Sequence, residues 1–150
     1  MTRRACFCSL VLTLLTTWGC SGDTPTSPTT TSSTATTTTT VASPAFTEEF
    51  NDTVPVSGSV FYSFTVTQYG TVNVSLTSIS GQYVPSTVTV GLGLGKPDAE
   101  TCVTTTQIST QAGAGPQITG AYDPGVYCVT VSDVGNLFSA AKFAVTIAYP

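Results

Sequence analysis

The sequence of 150 residues contains no histidine at all. That removes the Ser-His-Asp triad, the Cys-His dyad and every His-ligated zinc arrangement from consideration. Charge is almost as scarce. Only 8% of residues are charged, with four Lys or Arg against eight Asp or Glu, where a soluble domain carries about 25%. So few basic residues exclude the electrostatic footprint that nucleic-acid binding requires. The single Trp, Trp18, falls in the first twenty residues. The rest of the chain therefore lacks the largest aromatic platform for stacking on a ligand. No apolar run reaches the ~20 residues needed to span a bilayer as a helix. No stretch repeats apolar residues at helical spacing over two turns.

The first twenty residues read as an address. Arg3 and Arg4 precede a short apolar stretch of Leu10, Val11, Leu12, Leu14 and Leu15. A basic start followed by a short apolar middle describes a secretory signal peptide. It closes on Gly19-Cys20-Ser21-Gly22-Asp23, which resembles a bacterial lipobox, although Thr17 and Trp18 stand where an aliphatic and a small residue are usual. The resemblance implies a leader over 1–19, acylation of Cys20 and a bacterial envelope protein held to the membrane by lipid. Ser21, in place of Asp, points to the outer membrane by the same resemblance.

A tether follows. Residues 21–44 hold eleven Thr, five Ser and three Pro, with Val41 as the only large aliphatic. Nothing there can repay the entropy of ordering, so 20–44 is expected to be a lipidated Cys followed by a flexible linker. If fully flexible, its mean reach is about 25–30 Å. Beyond the leader the chain has two cations, Lys96 and Lys142, against eight acids, a net charge of about −6 with an acylated N-terminus.

From Ala45 to Pro150 the pattern changes to period two. Val60, Tyr62, Phe64 and Val66 alternate with Phe61, Ser63 and Thr65. The same alternation runs through Val72–Leu76, Val88–Leu94, Tyr127–Val131 and Phe143–Tyr149. Shorter β-like runs cover Phe46–Phe50, Cys102–Ile108 and Gln117–Tyr122. Turn chemistry separates them at Gln68-Tyr69-Gly70, Ser80-Gly81, Gly95-Lys96-Pro97-Asp98, Ala112–Pro116 and Asp123-Pro124-Gly125. About eight strands at such spacing predict an all-β antiparallel sandwich or barrel. Gly91, Gly93 and Gly95 share one strand face, which marks a flat or closely approached surface.

Cysteine arithmetic supports export. Cys6 and Cys8 leave with the leader, Cys20 takes lipid, and Cys102 and Cys128 remain as one expected disulfide. Cys128 has the parity opposite Tyr127, Val129 and Val131, so the bridge is expected on the outer face.

The run Phe61-Tyr62-Ser63-Phe64-Thr65-Val66, then Gly70-Thr71-Val72 and Leu76, resembles the bacterial pre-peptidase C-terminal domain. Gly125-Val126-Tyr127-Cys128-Val129-Thr130-Val131 resembles its closing hairpin. The resemblance extends over most of 46–149. It implies a jelly-roll-like sandwich of about eight strands and a non-catalytic module that binds a protein or polysaccharide, in some members with calcium. Glu48, Glu49, Asn51 and Asp52 match one acidic cluster of the calcium-binding members. The second cluster has no counterpart, since Ser57, Gly58, Ser59 and Val60 stand there, and calcium needs six to eight oxygens. No cofactor is therefore expected, with those four as the only calcium candidates. Tyr69, Tyr83 and Tyr122, in or near turns, are the candidate ligand-stacking residues. Asp98 with Glu100, and Asp123 with Asp133, read as solvated turn residues rather than acid-base pairs. The alternative to a binding module is a structural surface protein with no specific ligand.

Overall fold

A computed structural model describes residues 40–150. The leader, Cys20 and most of the linker lie outside the described residues. The eight strands are β1 (Phe46–Val54), β2 (Ser59–Val66), β3 (Gly70–Ser80), β4 (Val90–Asp98), β5 (Thr101–Thr110), β6 (Ile118–Tyr122), β7 (Gly125–Ser132) and β8 (Ala141–Tyr149). They form two antiparallel four-stranded sheets, ordered β1-β8-β3-β6 and β2-β7-β4-β5. Only β4 and β5 are consecutive strands that pair with each other; every other connection crosses from one sheet to the other, which is the jelly-roll order.

The period-two pattern explains the core. Phe64 and Val66 of β2, Val72, Val74 and Leu76 of β3, Val90, Leu92 and Leu94 of β4, and Val129 and Val131 of β7 are buried between the sheets. Phe143, Val145, Ile147 and Tyr149 of β8 complete them. Alternate residues of one strand face one side, so a β-branched or aromatic residue at every second position fills the gap between two sheets about 10 Å apart. A bulge at Thr77 shifts the parity of β3, and Ile79 then also points inward.

Beyond Val74 the short β6 no longer pairs with β3. The side chain of Gln117 takes over there, its Oε1 accepting from the Leu76 N–H at 2.7 Å and its Nε2 donating to the Leu76 carbonyl at 3.3 Å. A side-chain amide thus supplies both halves of a missing strand neighbour, as a buried backbone demands.

Two boundaries differ from the sequence expectation. Gly95-Lys96-Pro97-Asp98 is strand, not turn, pairing with Thr104, Val103, Cys102 and Thr101. The turn lies at Ala99 and Glu100, with Ala99 at φ 51°. Proline is tolerated because the pairing of β4 with β7 ends at Gly95, leaving β5 as the neighbour of Pro97. The chain also joins the sandwich before Ala45. Ala42 bridges Gly70, and the Ala45 N–H donates to the Tyr149 carbonyl at 2.9 Å.

Cys102 and Cys128 stand at disulfide distance, with Cα atoms 5.8 Å apart. They belong to β5 and β7, which β4 separates in the sheet. Strands two places apart in a flat sheet are about 9–10 Å apart, so the tip of the β4–β5 hairpin must curl over the outer face of β7. The bulge between Leu94 and Gly95 permits the curl. The glycines beneath it are required. A Cβ on Gly95 would fall onto the Val103 carbonyl, and one on Gly93 would meet the Thr104 and Thr130 methyls at 2.6 and 2.8 Å. Cys128, although on the outward parity, is fully buried beneath this fold-over.

Candidate functional site

Strand direction gathers the β1–β2, β3–β4, β5–β6 and β7–β8 connections at one end of the sandwich. The chain enters at the opposite end, where Ala42 meets Gly70. Strand β1, nine residues long, separates the two ends by roughly 25–30 Å.

Asp133 organises the loop end. Its Oδ1 accepts from the backbone N–H groups of Gly135, Asn136 and Leu137 at 2.8, 2.9 and 3.1 Å. Its Oδ2 accepts from the Ser57 N–H at 2.8 Å, and its own N–H donates to the Gly58 carbonyl at 2.9 Å. The Ser57 N–H above all, aided by the other three, holds this carboxyl below the usual range, with burial opposing. A carboxylate this committed is a clamp between two loops, not a solvated turn residue. Asn136 then reaches the Thr89 carbonyl at 3.3 Å, and the Ser139 hydroxyl donates to the Gln82 carbonyl. The β3–β4 and β7–β8 loops are thereby joined.

These fixed loops carry apolar side chains into solvent. Phe138 is 91% exposed and Tyr83 81%, and each adjoins one member of the Gln82–Ser139 hydrogen bond. Val56 and Val134 are exposed on the β1–β2 turn and the β7–β8 loop of the same end. Tyr83 also has φ 63°, in the left-handed region that costs a side-chain-bearing residue about 1–2 kcal/mol. A bulky residue held in that conformation with its ring in water gains nothing for the fold. Clustered exposed apolar groups on an ordered scaffold mark an interaction surface.

The three candidate tyrosines are divided. Only Tyr83 belongs to this end. Tyr69 and Tyr122 lie at the entry end, half-buried, and Tyr122 packs edge-on against Tyr127 with centroids 5.3 Å apart. Phe138, Val56 and Val134 did not emerge from the sequence. The available signal was that Phe138 sits between turn residues, outside any alternating run.

The four calcium candidates are all on β1, where parity separates them. Glu49 and Asn51 share the outward face, joined by an Asn51 Nδ2 bond to Glu49 Oε1 at 2.8 Å. Asp52 accepts from the Thr53 N–H at 2.7 Å. Glu48 has the opposite parity to Glu49, and its two oxygens accept the hydroxyls of Tyr149 and Tyr62. Tyr149 belongs to the first sheet and Tyr62 to the second, so Glu48 ties the sheets together where β1 and β2 form their open edge. Phe50 continues this seam, stacked on Tyr62 at 5.2 Å and edge-on to Phe143 at 5.3 Å. The two phenol donors, Tyr149 foremost, pull the Glu48 carboxyl below its ordinary range. The Glu48 hydrogen bond is the main cause that raises Tyr62 and lifts Tyr149 to about 12. Among the described residues, no three acidic, Cys or His side chains converge on a metal-sized site.

Two grooves of about 330 Å³ open elsewhere. One crosses the outer face of the first sheet, lined by Asn51, Asp52, Ser78, Ser80 and Lys142. The other lies on the second sheet, beside the folded-over hairpin. No protein-family model matches this chain, and no curated protein matches it in sequence. The fold alone defines its class, an all-β sandwich with jelly-roll strand order.

Proposed function

We propose that this chain is a bacterial envelope lipoprotein that displays a non-catalytic, jelly-roll interaction module on a Thr-rich stalk. Cys20 is the lipid attachment point, 21–44 the stalk, and the module resembles the pre-peptidase C-terminal domain. The observation that carries the reading is the apolar loop end, where Tyr83, Phe138, Val56 and Val134 stand exposed on loops tied together by Asp133, Asn136 and Ser139. This end lies opposite the entry of the chain at Ala42, so a stalk attached there leaves the loop end free to meet a partner. Aliphatic groups beside the two aromatics suit a partner with an apolar surface of its own, such as a protein of the same envelope. The acidic balance beyond the leader disfavours anionic lipid as the partner.

Two experiments test it. Cys20→Ser should move the protein from the detergent-extracted membrane fraction to the soluble fraction; retention in the membrane would refute the anchor. The full-length protein, cross-linked in envelopes, should capture a saturable partner that Tyr83→Gly and Phe138→Ser abolish. Tyr83→Gly should at the same time raise stability by about 1 kcal/mol, because glycine accepts the left-handed conformation without penalty. Capture unaffected by both changes would refute the loop-end surface.

A further inference from the structure

The two sheets end in four edge strands, β1, β2, β5 and β6. An edge strand offers unpaired N–H and C=O groups to any other extended chain, and folded proteins blunt it. Three of the four are blunted. β1 carries Glu48, Glu49 and Asp52. β2 lies against β1, with Tyr62 bonded to Glu48 and stacked on Phe50. β6 is five residues long, and the Gln117 amide stands in for it beyond Val74. β5 has no such cover. Its ten residues include no charge, proline or glycine, and β4 is its one strand neighbour among the described residues. A bulge at Thr105 interrupts the pairing with β4, but Thr106–Thr110 runs on in regular register with Val90–Leu94. In that run Gln107 and Ser109 are exposed on the outer face. Thr106, Ile108 and Thr110, opposite buried Leu94, Leu92 and Val90, face inward and stay half-buried. Ile108 touches the core yet remains partly open to solvent.

We propose that β5 pairs antiparallel with β5 of a second copy of this chain, joining two sheets into one continuous sheet. Charge favours a second copy here and nowhere else on the sandwich edges. The chain beyond the leader is acidic, so two copies repel over most of their surfaces. β5 and β6, which share this side of the sandwich, carry no charge. The acids that follow β4 and β6, Glu100 and Asp123, lie at the chain-entry end. An antiparallel two-fold sets those of the two copies at opposite ends of the paired strands. The same two-fold fixes the register. Centred on Ile108, it places Ile108 against its counterpart, Thr106 against Thr110, and Gln107 against Ser109. The two half-buried isoleucines then cover each other, and β-branched residues face β-branched residues. A centre between two residues would set inner side chains against outer ones. One strand pair buries less than the ~1,200 Å² of a stable complex, so the dimer is weak and reversible. The pairing uses neither the loop end nor the lipid anchor, and it stands or falls apart from both.

The test is sedimentation equilibrium of the full-length chain carrying Cys20→Ser, which keeps detergent out of the measurement. A dimer that dissociates on dilution is expected, with a Kd of about 10–100 µM. Gln107→Lys/Ser109→Lys sets like charges opposite each other twice and should weaken the dimer about tenfold or more. Gln107→Lys/Ser109→Glu sets unlike charges opposite each other in this register and should restore it or strengthen it. Both positions are exposed, so the two variants should melt within a few degrees of the parent, and Tyr83→Gly should leave the dimer unchanged. A chain that stays monomeric to about 500 µM overturns the proposal. So does a dimer indifferent to the paired lysines, one weakened equally by both double changes, or one lost with Tyr83→Gly. Protection of the β5 amides from exchange in envelope extract but not in the concentrated pure chain would assign the edge to another protein's strand, and would overturn the second copy.

Discussion

Reducing the Cys102–Cys128 bridge should lower the melting temperature by about 15 °C. The two residues are 26 apart in sequence, and closing a loop of that length in the unfolded chain removes entropy equivalent to about 3.5 kcal/mol at 25 °C in the chain-entropy model. At about 2.1 cal/mol/K per residue over the ~105-residue sandwich, that stabilisation converts to about 15 °C. The fold-over adds a local consequence. Without the bridge, the hairpin tip is held over β7 mainly by the packing of Thr104 and Val103 on Gly93 and Gly95. Its amides should exchange with solvent before those of the core strands. The assay is thermal melting by circular dichroism with and without reductant, with Cys102→Ala/Cys128→Ala as the thiol-free control. A shift under about 3 °C, or two free thiols in the purified protein, would refute both the bridge and the entropy argument.

The remaining predictions concern the seam and the fold-over. Glu48 has a lowered pKa, so its contribution to stability is present above the ordinary carboxylate value of 4.5 and is lost as pH falls through its lower folded value. Tyr149 is raised to about 12 from 10.0, so its contribution is present below pH 10 and is lost as pH rises toward 12. Glu48→Gln should cost about 1–2 kcal/mol at neutral pH and should advance the alkaline phenolate absorbance of Tyr149 and Tyr62. Tyr127, raised chiefly by burial, should still titrate late; an unchanged titration of all three would refute the Glu48 seam. Gly95→Ala, whose added methyl would strike the Val103 backbone, should destabilise by about 2–3 kcal/mol or more. Gly115→Ala, which meets nothing within 4 Å, should stay within about 0.5 kcal/mol of the parent. Equal denaturant midpoints for the two would remove the reason for glycine on β4.

Alternation determined most of the fold. Val, Tyr, Phe and Leu at every second position of Val60–Val66, Val72–Leu76, Tyr127–Val131 and Phe143–Tyr149 call for a sandwich or a barrel, and the structure covers them between two sheets, with Val60 and Tyr62 only partly buried. Cysteine counting likewise pairs Cys102 with Cys128, and the fold brings the two to disulfide distance. What local pattern could not supply is anything that depends on which strands become neighbours. The strand order put β4 between the two cysteine-bearing strands, and so turned an ordinary cross-strand bridge into a staple over a folded hairpin. It carried strand structure through Gly95–Asp98, against the turn propensity of Gly and Pro. It also brought Tyr62 and Tyr149 from opposite sheets to Glu48, a carboxylate whose sequence context suggested only an acidic edge. The loop end follows the same rule, since Tyr83 and Phe138 lie 55 positions apart in sequence. Period-two patterning records which side of a strand faces the core, but it holds no record of which distant loop will lie beside which, because that is settled by the packing of whole sheets.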